Sequence, residues 1–396
     1  MHKLRCILAA LALVWTLTPG HAQSPDLQDL MAKARAGQAD AQVQLAEIYR
    51  TGQGVLQNYA TAAELYAAAA QQGNADALNA LGALYFNGLG VAANPETGAD
   101  LIARAAALGA PKHIHDYATI LQNGSGIAAD ATRAATLFEQ AAGMGWTESA
   151  VSLGTLYLEG KGVPKNPARA IELFTAPAEA GHARAQNNLG LIYVRGEGVS
   201  QDYDAAVKWF TRAAESGLPT ALNNLGVMYQ NGFGVTVDED EAARLYKLAA
   251  AQSGGDPAQV AMVFDTRLAP PDPALVESYL ASANSGDPVA QFLLGYLMTT
   301  VPELENPQQA AALFAAAAQK GMPAAMANLG ILSFQGKGTL QDFVEAYKWL
   351  TLASASGLGG AIELRDQLAT RMTADQITKA NVIAQEHWAG ISDNGK

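Results

Sequence analysis

Gly37, Gly73, Gly109, Gly145, Gly181 and Gly217 follow one another at an unbroken spacing of 36 residues. A fixed period of that length is the signature of stacked supersecondary units, none of which can bury its apolar face alone. Weaker copies open at Gly254, Gly286, Gly321 and Gly357. Within the unit from Gly181 lie two apolar stripes of helical period: Ala185, Leu189, Ile192 and Tyr193, then Ala206, Trp209, Phe210 and Ala213. Each unit is therefore expected to be a pair of antiparallel helices, and the chain an all-α solenoid of such pairs. A composition that is 49% hydrophobic and 16% charged would suit one large core or many small ones. The period selects the second.

The turn inside each unit repeats as GQGV, GLGV, GSGI, GKGV, GEGV, GFGV and GKGT. In the copy at Gly196 to Val199, both glycines suit the left-handed backbone that ends a helix, and Val199 is placed to fold back onto the helix just left. Three residues on stands Asn58, Asn94, Asp130, Asn166, Asp202, Asp238 or Asp342, with Asn306 in the equivalent place of a copy without the turn. These are N-cap residues for the second helix, each worth about 1 kcal/mol over alanine. Gly190 and its equivalents Gly82, Gly154, Gly226, Gly295 and Gly330 fall in mid-helix, where glycine costs about 1 kcal/mol. A cost repeated at one slot predicts a helix crossing too close for a side chain, and Ala46 and Ala118 fill that slot elsewhere.

These residues resemble the Sel1-like repeat, a relative of the tetratricopeptide repeat with a longer turn. Its LGxxYxxGxGV stands at Leu189, Gly190, Tyr193, Gly196, Gly198 and Val199, and again from Leu81, Leu153 and Leu225. Its second half stands at Asp202, Ala206, Trp209, Phe210, Ala213, Ala214 and Gly217. The phasing divides the chain into a leader over 1–22, a capping helix over 23–36 and six regular repeats over 37–252. Two degenerate repeats over 253–320, a regular repeat over 321–356, capping helices over 357–390 and a tail over 391–396 complete it. The degenerate stretch is expected to bend the solenoid or change how it is read. Thr373 and Gln376 have capping-box spacing.

The leader places Lys3 and Arg5 before an apolar run from Cys6 to Leu17, then Pro19, Gly20 and Ala22. That is the order of a secretory signal cleaved before Gln23, and it points to a periplasmic protein. No later stretch offers the ~20 apolar residues of a spanning helix. The leader carries two of the 25 Lys and Arg and none of the 37 Asp and Glu, so its removal takes the net charge from −12 to about −14. Nucleic acid is a poor partner for that field. Cys6 is the only cysteine, so the exported chain has no disulfide to rely on.

No chemistry-bearing constellation emerges from the residues. His113 and His115, two apart on a helix, point away from each other and read as polar surface. Ser125 occupies the variable slot of a repeat turn, the glycine turns lack phosphate-loop spacing, and Asp238 to Glu241 suit a helix start without calcium. Trp209 and Trp349 recur in a core slot. No cofactor, metal or catalytic residue is assigned. The resemblance implies a binding scaffold, since its members bind sensor-kinase ectodomains, act in exopolysaccharide regulation or support envelope assembly. Two other readings are weighed: an enzyme like the cysteine-rich relatives linked to β-lactam hydrolysis, and a glycan-binding groove. The first is opposed by the missing cysteines, the second by a supply of only Tyr296 and Phe264 as groove aromatics.

What varies between copies is a first-helix stripe at three, seven, ten and fourteen residues past the opening glycine. It reads Arg184, Asn188, Leu191 and Arg195 in one unit and Thr220, Asn224, Val227 and Asn231 in the next, with Asn328 repeating the asparagine slot. Stacked helix pairs turn such a face to the concave side, where an amide can both donate to and accept from the backbone of an extended protein segment. These nine residues are the candidates for holding a periplasmic or envelope protein.

Overall fold

The computed structural model describes residues 25–252 and 260–393, and every regular element among them is helical. After α1 (Pro25–Arg35) come six pairs: α2 (Ala39–Thr51) with α3 (Tyr59–Gln71), α4 (Ala75–Asn87) with α5 (Pro95–Ala107), and α6 (Pro111–Asn123) with α7 (Ala131–Gly143); then α8 (Thr147–Glu159) with α9 (Pro167–Glu179), α10 (Ala183–Arg195) with α11 (Tyr203–Glu215), and α12 (Pro219–Asn231) with α13 (Glu239–Gln252). Past residue 260 stand α14 (Val276–Asn284), the pairs α15 (Pro288–Thr300) with α16 (Pro307–Gln319) and α17 (Pro323–Gln335) with α18 (Phe343–Ala355), and finally α19 (Gly360–Ala369) and α20 (Ala374–Asp393). The proposed leader and its cleavage site lie outside the described residues.

The repeat chemistry acts as the spacing predicts. Helix α10 stops because Gly196, at φ 65°, turns its N–H back to the Ile192 carbonyl. Gly198, at φ 77°, has a second reason to lack a side chain: a Cβ there would stand 2.9 Å from the Pro167 Cβ. The turn of one unit thus seats on the start of the preceding unit's second helix, which fixes the stacking. The Asp202 carboxylate accepts the Ala205 N–H at 2.9 Å, and Asn58, Asn94, Asp130, Asn166, Asp238, Asn306 and Asp342 make the same cap. At the mid-helix slot, a Cβ on Gly190 would lie 2.5 Å from Cε1 of Phe210, whose buried ring fills the crossing with α11. Thr373 and Gln376 exchange side chain for backbone in a reciprocal box at the start of α20, at 2.9 and 3.2 Å.

One tie recurs at a single slot, five residues past the opening glycine, and was missed in the sequence. Gln42, Gln186 and Gln291 each donate an amide N–H to the carbonyl of the residue eight earlier, Ala34, Ala178 and Ala283, at 3.3, 2.9 and 3.2 Å. All three glutamines are buried, so each pins a first helix to the end of the helix before it.

The two degenerate repeats over 253–320 depart from the regular pair to different degrees. The unit from Gly286 is a full pair, with a turn of 3-10 helix at Pro302–Leu304 in place of the glycine turn. The unit from Gly254 is the irregular one. Residues 260–272 carry no helix and run directly into the short helical turn Pro273–Leu275 that opens α14. Prolines at 270, 271 and 273 stand where a regular unit has its inter-helix turn, and they replace its glycines with a stretch that cannot continue a helix.

The two ends of the array meet, which the repeat pattern did not anticipate. The Arg365 guanidinium on α19 is fully buried and donates through Nη2 to the Thr51 carbonyl at 2.8 Å. Ser354 donates to the Gly52 carbonyl at 3.0 Å, while Tyr347 and Asn381 both donate to the Gln57 side-chain oxygen at 2.7 and 3.2 Å. Leu56, Tyr59 and Leu89 pack on the C-terminal apolar cluster around Tyr347 and Leu350. The first turn of the solenoid is therefore part of the same core as its last helices. Burial pushes the Tyr347 hydroxyl well above the ordinary tyrosine range, so it serves there only as a neutral group.

Candidate functional site

First helices of successive units join into one face through side chains. Asn79 donates to Asp116 at 3.0 Å, His115 meets Ser149 at 2.9 Å, His182 meets Glu148 at 2.8 Å, and Asn224 donates to Asn187 at 2.8 Å. His113 also belongs to this ladder: its ring is buried and its Nε2 lies 3.1 Å from Asp76. The reading of His113 and His115 as plain surface is thus corrected, because neighbouring first helices stand close enough for each ring to bridge two units. Among the described residues, no three His, Cys, Asp or Glu side chains gather as a metal site requires.

The eight candidates on α10 and α12 sit on this face. Arg184 and Arg195 reach outward, 3.9 Å from Glu148 and Glu197 respectively, distances at which exposed pairs contribute little. Asn188 is half-buried, with its amide 3.5 Å from the Thr155 hydroxyl, and Asn224 is half-buried in its bond to Asn187. Thr220 and Asn231 are exposed, Val227 is 43% exposed, and Leu191 packs partly on the Phe210 cluster. Asn231 turns its amide to its own Val227 carbonyl at 2.9 Å.

Asn328 is different. It is fully buried on α17, and its amide takes both backbone groups of Val263: the Val263 N–H donates to Oδ1 at 2.7 Å and Nδ2 donates to the Val263 carbonyl at 2.9 Å. Seven residues along the same stripe, Gln335 donates to the Val260 carbonyl at 2.8 Å. The slot does grip an unstructured backbone, but the occupant is the chain's own segment, so Asn328 is not open to a partner as expected. Gln335, at the fourteenth place of its unit, was legible by position and was missed. Phe264 of the same segment stacks edge-on against Tyr296 at 5.1 Å and leans on the buried Phe292. Both aromatics proposed for a glycan groove are therefore used internally.

His115 of the ladder and His387 of the cap make stability depend on pH. Burial holds the His115 imidazole below its ordinary pKa, with Asp116 and Glu148 offsetting part of the effect, and burial plus the Lys348 ammonium lowers His387. A lowered folded-state pKa means the unfolded chain binds the proton first. The contribution is complete above the unfolded value and is lost as pH falls from there toward the folded values. The urea midpoint is expected to drop as pH falls below the ordinary histidine value of about 6.5, and His115→Gln to flatten part of that drop.

Helix pairs stacked in one phase and joined by a shared first-helix face define an α-solenoid repeat protein, a class whose fold serves to hold other proteins. The chain belongs to the Sel1 repeat family: the Sel1 repeat matches residues 39–74, 75–109, 114–146, 147–182, 183–218, 219–254, 288–322 and 323–358. The longest gap in that series, 255–287, contains residues 260–272, which carry no helix. Among solved structures, the chain is similar to c5321, a protective antigen present in uropathogenic Escherichia coli strains and displaying an SLR fold. Identity is 25%, the TM-score is 0.52, and the match covers 93% of this chain and 95% of that one. A Sel1 repeat protein from Oxalobacter formigenes matches at 26% identity and TM-score 0.52, over 57% of this chain and 94% of its own. No curated protein matches the chain. No helix among the described residues is long and apolar enough to cross a membrane.

Proposed function

We propose that the chain is an exported, non-catalytic scaffold that holds an extended segment of a protein partner on the concave, first-helix face between Gly145 and Gln252. The setting is envelope signalling, exopolysaccharide regulation or envelope assembly. One observation carries the binding mode: the same face, in the unit from Gly321, already holds an irregular backbone through residues at its seventh and fourteenth places. Seven helical residues rise about 10.5 Å, the reach of three extended residues at ~3.5 Å each, so two backbone grips fall in register. Asn188 with Arg195, and Asn224 with Asn231, repeat that spacing on α10 and α12. Arg184 and Arg195 add positive charge on a chain of net negative charge, a local attraction for an acidic partner segment. The leader sequence supports export.

The test is a triple variant, Asn188→Ala, Asn224→Ala and Arg195→Ala, compared with the parent by crosslinking in the native envelope. The helical circular-dichroism signal is expected to persist and Tm to move by less than about 3 °C, while capture of the main crosslinked partner is lost. Equal capture by the two proteins would place the binding elsewhere.

A further inference from the structure

The segment Val260–Leu268 is held in an unusual way for a piece of core. Among the described residues, no backbone–backbone hydrogen bond ties Val260–Phe264 to the rest of the fold. Its hold consists of the Asn328 and Gln335 side chains and of apolar contacts by Met262, Val263, Phe264 and Leu268 with the C-terminal cluster. Side-chain amides on a helix that take the main chain of an irregular segment, with a ring seated beside them, are the elements of peptide recognition. Main-chain bonds supply a hold that does not depend on sequence, and the Phe264 ring against Phe292 and Tyr296 supplies selectivity.

We infer that the first-helix face of α15 and α17 is a second peptide-binding site, occupied in this state by the chain's own Val260–Leu268 strap. The external occupant it fits is an extended protein segment, uncharged over about five residues, with an aromatic residue directly after the one gripped by Asn328. The fit of the strap itself is incomplete. Asn328 has both its polar atoms satisfied, whereas the Gln335 Oε1 is buried with no donor among the described residues, its Nε2 alone being used on the Val260 carbonyl. A segment presenting an N–H at that point would complete both grips and so compete with the strap. At the other end, Asp265 fixes the strap's exit by accepting Arg267 Nε and Nη2 at 2.8 and 2.7 Å, a local turn that remains intact when the residues before it lift. This site is separate from the Asn188 and Asn224 stripe and stands whether or not that stripe binds anything.

The probe is a fluorophore-labelled synthetic peptide with the sequence of Val260 to Leu268, followed by anisotropy against the full chain. Val263→Pro removes the N–H that Asn328 accepts and weakens the strap in place. Because a tethered segment competes at high effective concentration, this variant is expected to bind the peptide about tenfold or more tightly than the parent. Adding Asn328→Ala is expected to abolish the gain. Phe264→Ala, which leaves the backbone grips intact and removes only the ring, is a milder second variant with the same expected direction. Folded variants that bind no better than the parent, or a gain that survives Asn328→Ala, overturn the inference. So does failure of both variants to fold, since a strap without which the chain cannot fold is core.

Discussion

Gly190→Leu is expected to cost roughly 2 kcal/mol or more of stability, against less than about 0.5 kcal/mol for Asn188→Ala two residues away. The contrast comes from the two faces of α10. A Cβ at Gly190 alone would stand 2.5, 2.6 and 2.9 Å from three carbons of the Phe210 ring. That ring is buried, so it cannot swing out to solvent without giving up its place in the crossing. Gly154 and Gly226 meet Phe174 and Tyr246 in the same way, at 2.6 Å each, so the slot behaves alike from unit to unit. Ala46 and Ala118 show that a single methyl can be accommodated when the facing ring, Tyr66 or Phe138, is set accordingly. A leucine adds three more carbons and exceeds that allowance. Urea midpoints of the two variants provide the measurement, and equal shifts would mean that the helix faces have been misassigned.

The second large effect is expected at Arg365. Arg365→Ala removes the cation that binds the Thr51 carbonyl, leaves that carbonyl without its partner, and empties a fully buried volume between α19 and the first turn. An unpaired buried acceptor and a cavity together cost on the order of 3 kcal/mol. The loss falls on the closure and not on any one helix pair, because the bonds that define each repeat are untouched. Small-angle scattering is expected to show a larger radius of gyration with an unchanged helical signal. If the radius stays constant, the Tyr347 and Asn381 bonds to Gln57 hold the ends by themselves.

What could be read from the sequence was whatever recurs. Asp202, Gly198 and Gly190 each stand in a slot filled again and again, so a local physical requirement shows through as a period. Gln57, Arg365 and Asn381 each occur once in their roles, and the contacts between them span about 290 residues or more, where no local pattern can register. Arg365 even has an ordinary reading in its sequence neighbourhood, beside Asp366, and only the packing shows that its charge is enclosed. The candidate face was legible as a stripe. The ladder across it was not, because Asn187 and His115 lie one place off the stripe and meet partners only when the units stack. The strap escaped notice for a different reason: the sequence singles out only Phe264 in Val260 to Leu268, as a groove aromatic, and the backbone beside it carries no repeating signal.

The joined ends also restrict how this chain can change in length. An open solenoid gains or loses a unit at little cost, since each repeat touches only its neighbours. Here Gln57 in the first turn must meet α18 and α20, so the number of units, their rotation and the half-unit at Gly254 are set jointly by a geometric closing condition. Duplicating or deleting one 36-residue copy would keep every local rule of the repeat and still separate the ends. The irregular segment is then the one place where a mismatch between an integer count of repeats and a closed circuit can be absorbed.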